Sequence, residues 1–125
     1  MDADLFIKTI NPLLKAEGFK KAGPTWRRDQ DESIAVFNVQ KSQWGGGSYY
    51  INIGTYFHKF GTETAPTENK CHVRMRLDVG EPSNVFSKAM EWFQNRASIQ
   101  NAALLAEADS KKGLVAKELH NVTAT

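Results

Sequence analysis

Cys71 and His72 are the side chains of this sequence best suited to metal or nucleophile chemistry, and they are adjacent. The residues around them alternate as a strand does. Neighbours on a strand point to opposite faces, so the pair can share neither a metal ion nor a proton. Cys71 therefore reads as a buried structural thiol. His58 and His120 stand alone, and no Cys or His pair has the two-to-four-residue gap of a zinc site. Gly45-Gly46-Gly47-Ser48 resembles a phosphate loop only superficially, since it lacks the Lys-Ser/Thr ending and lies between two strand-like runs. It reads as a hairpin tip. There is no serine nucleophile elbow, and Asp29, Asp31 and Glu32 cluster in what reads as a solvated turn. The sequence offers no catalytic set, implies no cofactor or metal, and disfavours an enzyme.

Binding chemistry is better represented. In the run Lys70 to Val79, Cys71, Val73, Met75, Leu77 and Val79 share one face, which must be core, and His72, Arg74, Arg76 and Asp78 share the other. In Tyr49 to Phe57 the apolar side is Tyr49, Ile51, Ile53, Thr55 and Phe57; Tyr50, Asn52, Gly54 and Tyr56 form the second side. In Ser33 to Gln40, Ala35, Phe37 and Val39 face the core, leaving Ile34, Val36, Asn38 and Gln40 opposite. Two arginines two residues apart on one strand repel unless something compensates. Tyr50 and Tyr56 can stack on the guanidinium planes, and Asp78 can pair with Arg76. The candidate binding face is Gln40, Tyr50, Asn52, Tyr56, His72, Arg74 and Arg76, around a gap left by Gly54, with Trp44 at the hairpin tip. The competing reading is an ordinary wet sheet face, with Trp44 folded back onto the sheet.

Those strands need partners and cover. Leu5, Phe6, Ile10, Leu13 and Leu14 recur at helical spacing behind Asp2 and Asp4, with Pro12 expected to kink or restart the helix and Gly18 to end it. Gly23-Pro24 marks a turn, and Thr25 to Asp29 can form a short first strand. Lys59 to Asn69 reads as an exposed loop. After Gly80, Phe86, Ala89, Met90 and Phe93 define a helix with Ser83 as its cap; Ile99 to Ala108 defines another, and Leu114 to Leu119 another turn or two. The expected fold is α+β: an antiparallel meander of about four strands, with an N-terminal helix and two C-terminal helices on one face. Residues 1–120 form a single domain and residues 121–125 a tail expected to fray.

Composition agrees. The chain has 125 residues, 41% hydrophobic and 24% charged, with a formal net charge of +2 and one cysteine. These values exclude disorder and a disulfide framework, and they fit a cytoplasmic, non-membrane protein. A charge of +2 neither demands nucleic acid nor suits mimicry of it.

The segment Leu13-Leu14-Lys15-Ala16-Glu17-Gly18-Phe19-Lys20-Lys21, followed by Gly23 and Trp26-Arg27-Arg28, resembles the opening of the bacterial domain-of-unknown-function family DUF4304. Val39-Gln40-Lys41-Ser42, Ile51-Asn52-Ile53-Gly54 and Cys71-His72-Val73-Arg74-Met75-Arg76-Leu77 are similar to its later blocks, so the resemblance spans residues 5–79. It implies no settled activity. Small bacterial domains of this kind often accompany toxins, which implies an immunity protein whose partner is a toxin domain. The sequence expectation is a non-enzymatic protein-binding domain. The alternative is a ligand- or nucleic-acid-binding domain that uses the polar and aromatic sheet face.

Overall fold

A computed structural model of the chain describes residues 1–123. The first helix, α1 (Ala3–Ala16), starts where the Asp2 carboxylate accepts the Leu5 N–H at 2.9 Å, and its stripe of Phe6, Ile10 and Leu14 is buried. Pro12 does not interrupt it. The Lys8 carbonyl that loses its partner lies on the exposed side, where water can replace the missing N–H.

Six antiparallel strands follow: β1 (Lys20–Ala22), β2 (Thr25–Gln30), β3 (Ser33–Lys41), β4 (Tyr49–Phe57), β5 (Val73–Leu77) and β6 (Gly113–Val115). They lie in the sheet in chain order. The expected meander is thus present but has six strands rather than about four. The two additions are the three-residue edges, where Lys20-Lys21-Ala22 is entirely exposed and shows no alternation to read. β5 is also shorter than the expected run of 70–79.

Between β5 and β6 the chain makes α2 (Pro82–Asn95) and α3 (Ile99–Asp109), and after β6 a short α4 (Lys117–Thr123). Pro82 occupies the first turn of α2, so the helix starts ahead of the expected Ser83 cap. The helix α4 takes in 121–123 of the expected tail; residues 124–125 lie outside the described residues. Side chains of α1, α2 and α3 meet one sheet face in a single core containing Phe6, Leu14, Trp26, Phe37, Ile53 and Phe93. That is the face alternation assigned to the core.

Candidate binding face

Beyond the Gln40–Tyr50 pair at the hairpin end, the opposite sheet face is crossed by three further rows of paired residues. The row Thr25–Asn38–Asn52–Arg76 runs over four strands; the next is Arg27–Val36–Gly54–Arg74, and beyond it Ile34 pairs with Tyr56. Parity thus puts Asn52, Tyr56, Arg74 and Arg76 on one face as expected. Cys71 departs from it: the same alternation assigned it to the core face, but it precedes β5 and packs on this side against Ile34, Val36 and Tyr56. The exposure of the expected residues is another matter.

Most of residues 59–69 are exposed, as expected, but the segment 58–72 does not hang free. They return over the second and third rows, and Ile34, Val36, Tyr56 and Cys71 form a second small apolar cluster beneath them. Gly54 makes this possible: a Cβ there would lie 2.7 Å from the Cys71 Cβ and 2.8 Å from its Sγ. The gap at Gly54 is therefore filled by the chain's own cysteine. Burial pushes the Cys71 thiol well above its ordinary pKa, and the nearby Glu68 carboxylate adds to the effect.

Polar ties fasten the loop. Arg27 Nε donates to the Pro66 carbonyl at 2.8 Å, the Glu63 N–H donates to the Tyr56 hydroxyl at 2.9 Å, and Arg74 makes two 3.1 Å bonds to the Glu68 carboxylate. His72, only 8% exposed, accepts the Phe57 N–H on Nδ1 at 3.0 Å and lies against Tyr56, its ring centroid 4.7 Å away. Tyr56 (3% exposed), His72 and Arg74 therefore secure the covering loop, and they do not present themselves to a ligand.

Two predictions follow from these ties. Sequence reasoning allows Arg74→Ala no more than about 1 kcal/mol of destabilisation, as for a surface residue. With Glu68 left half-buried and unpaired, the expected loss is about 1–3 kcal/mol. A double-mutant cycle with Glu68→Gln measures it, and additive single effects would refute the coupling. For His72, burial lowers the pKa below the ordinary 6.5, against an opposing pull from Glu118. A folded-state pKa below the unfolded one means the unfolded chain binds the proton first. Stability is then full above about pH 6.5 and declines as the pH falls through and below that value. Thermal unfolding between pH 7.5 and 5 should show this decline, with a flatter profile for His72→Gln.

The first row stays open. Asn52, 6% exposed, donates both amide hydrogens, to Asn38 Oδ1 and Gln40 Oε1, each at 3.1 Å. Its own Oδ1 accepts from Arg76 Nε at 3.1 Å, and Asn38 passes the chain on by donating to Thr25 Oγ1 at 3.0 Å. The Arg76 guanidinium lies 4.2 Å from the Tyr50 ring centroid, the stacking expected of that arginine and one of the two tyrosines. Arg76 bonds Asn52, and the expected Asp78 pairing is not made.

The glycine tip between β3 and β4 projects from the same end. Gly45, Gly46 and Gly47 all have φ between +72° and +77°, a backbone that other residues adopt at a penalty. Trp44 beside them is 86% exposed, so it does not fold back onto the sheet. Met1, Gly46, Gly47 and Val79 border one cleft there. Leu5 is one helical turn away and Tyr50 follows on β4, so this end holds five of the seven large exposed hydrophobic residues among those described. Gln40, Tyr50, Asn52 and Arg76 are brought together, whereas Trp44 stands apart from them on the tip beyond β3. Asn38, Glu68 and Asn69, which also line the open part, were absent from the expected set. Parity could have added Asn38; nothing local marks Glu68 or Asn69.

The profile of DUF4304, a domain of unknown function, matches residues 10–111. The chain belongs to the DUF4304 family. The DUF4304 match runs from α1 to the turn after α3, well past the expected limit at residue 79. The strands of the candidate face and the helices α2 and α3 thus lie within one family match. No curated protein and no solved structure matches the chain. Among the described residues no group of His, Cys, Asp and Glu is placed to hold a metal ion, and no helix is long and apolar enough to cross a membrane.

Proposed function

We propose that this domain is a non-enzymatic protein-binding module that anchors its partner at the hairpin end of the sheet. The observation that carries the reading is Trp44, an indole 86% exposed on a glycine-rich tip whose Gly46 and Gly47 border a cleft with the exposed Met1 and Val79. An exposed cluster of this kind is costly to leave in water, and tryptophan and arginine are over-represented among residues that dominate binding energies. The partner is a toxin domain and the protein its cytoplasmic, bacterial immunity factor; this finer reading extends the family resemblance. The alternative, a sheet-face reader of single-stranded nucleic acid, gains less support. Tyr56 is covered and Tyr50 is already stacked on Arg76, leaving no row of open aromatic rings.

Co-expression with a growth-arresting toxin domain encoded by a neighbouring gene should restore growth. Trp44→Ala should abolish that protection, weakening binding by about 2 kcal/mol or more. Its thermal unfolding should stay within about 0.5 kcal/mol of the parent's, because the ring contributes little to the core. Growth protection unchanged in Trp44→Ala would remove the anchor from the reading. Failure of the parent to bind or protect would remove the reading itself.

A further inference from the structure

We infer that the cleft between β5 and the start of β6 binds the phosphate group of a phosphomonoester, held by Arg76, Lys112 and Arg74. The inference goes beyond the protein-binding reading and does not depend on it, since none of these side chains belongs to the Trp44 anchor. The cleft measures about 260 Å³, and its charged lining is Arg74, Arg76, Lys112 and Glu68.

The strand register brings the cations together. Arg74 pairs with Leu114 and Met75 with Gly113. Lys112, the residue before β6, therefore arrives beside Arg76 and, by alternation, on the same face as Arg74 and Leu114. Gly113 permits the approach, because a Cβ on it would collide with the Arg74 carbonyl oxygen. Like charges facing each other on neighbouring strands destabilise a sheet unless something lies between them. Asp78 does not compensate: it pairs with none of the three cations and does not line the cleft.

Hydrogen bonding inside the cleft leaves donors unused. Arg74 gives Nε and Nη2 to the two oxygens of Glu68 and keeps Nη1. Arg76 gives only Nε, to Oδ1 of the buried Asn52, and its plane rests on the Tyr50 ring. The guanidinium is thus fixed in direction, with both terminal nitrogens open. The Lys112 ammonium has no partner among the described residues. Three cations against the single Glu68 carboxylate leave a surplus of two positive charges. A carboxylate would occupy the Arg76 fork alone and match half of that charge. A phosphomonoester carries a charge of about −1.5 to −2 and three acceptor oxygens. It can fill the Arg76 fork and still present an oxygen to Lys112 or to the spare nitrogen of Arg74.

The test titrates the full ¹⁵N-labelled chain, at constant ionic strength, with inorganic phosphate, glycerol phosphate and an end-blocked phosphoserine peptide. Glutarate serves as the comparison probe. Saturable shifts are expected for the Arg76 side-chain Nε–H and for the Gly113 and Leu114 amides. Arg76→Ala and Lys112→Ala should each weaken binding about tenfold. The Lys112 side chain makes no hydrogen bond or ion pair that truncation would break, so its variant decides the matter should Arg76→Ala fail to fold. Tighter binding of the phosphopeptide than of glycerol phosphate would support the site and assign its ligand to a phosphorylated protein; the reverse order would support it as a site for small phosphate esters. Absence of saturable shifts overturns the inference. So does glutarate binding as tightly as phosphate, which would make the cleft indifferent to the anion, or a folded Lys112→Ala protein that binds phosphate at the parent's strength.

Discussion

Trp26→Ala is expected to lower the unfolding free energy by about 3–5 kcal/mol, the largest loss for any single residue considered. The indole is fully buried between α1 and the sheet, packs edge-on against Phe37 with centroids 5.7 Å apart, and donates Nε1–H to Asn11 Oδ1 at 2.9 Å. Truncation removes a large apolar contact, opens a cavity in a close-packed region and orphans the Asn11 carboxamide. Asn11→Ala separates the contributions: it keeps the ring and loses only the hydrogen bond, so about 1 kcal/mol is expected. Urea denaturation of both variants measures the difference. A Trp26→Ala protein within 1 kcal/mol of the parent would mean that the helical layer collapses into the space without penalty, contrary to the packing described.

Gly54→Val should be nearly as damaging, by about 1–3 kcal/mol, for the opposite reason. The site is in the central strand β4, and even a single Cβ there would intrude on the Cys71 side chain and come within 3.2 Å of the Val73 carbonyl oxygen. The strand cannot move, because it is paired on both sides, so residues 58–72 must lift instead. Lifting them exposes Cys71, whose buried thiol is otherwise held protonated and unreactive. Labelling by a thiol-reactive dye under native conditions should therefore be much faster in Gly54→Val than in the parent. Equal labelling rates would show that the loop stays seated and that the substitution is absorbed elsewhere.

The alternation of 73–77, 49–57 and 33–40 is sufficient to separate the two sheet faces and to put Asn52, Gln40 and Arg76 together, but extended to Cys71, outside β5, it assigns the wrong face. Alternation has nothing to say about what a distant segment does. The return of residues 58–72 over Ile34, Val36 and Tyr56 depends on Pro66, Glu68 and Cys71 finding partners on other strands. No local spacing encodes such contacts. The two β-branched residues on the supposedly wet side of β3, Ile34 and Val36, were the available sign that part of that face is covered. The edge strands β1 and β6 escaped notice because three residues are too few to show a period, and Lys20-Lys21 carries no apolar signal. Likewise Gly54 was legible as a gap but not as an occupied one.

The order of the sheet has a kinetic consequence. Every strand pairs with the strand before it in the chain, so the pairings differ chiefly in the length of chain that must close. Two residues separate β2 from β3, seven separate β3 from β4 and fifteen separate β4 from β5, but thirty-five, including α2 and α3, separate β5 from β6. Each doubling of a flexible connection adds only about 0.6 kcal/mol to closure, but that entropy must be lost before any contact compensates for it. The β2–β3–β4 ribbon is thus the natural first structure, and β6 joins last, once α2 and α3 have docked. A three-residue strand that joins last is also the one that opens first. In native-state hydrogen exchange the β5–β6 amides should lose protection while those of β3 and β4 are still closed, so the sheet frays from its C-terminal edge inward.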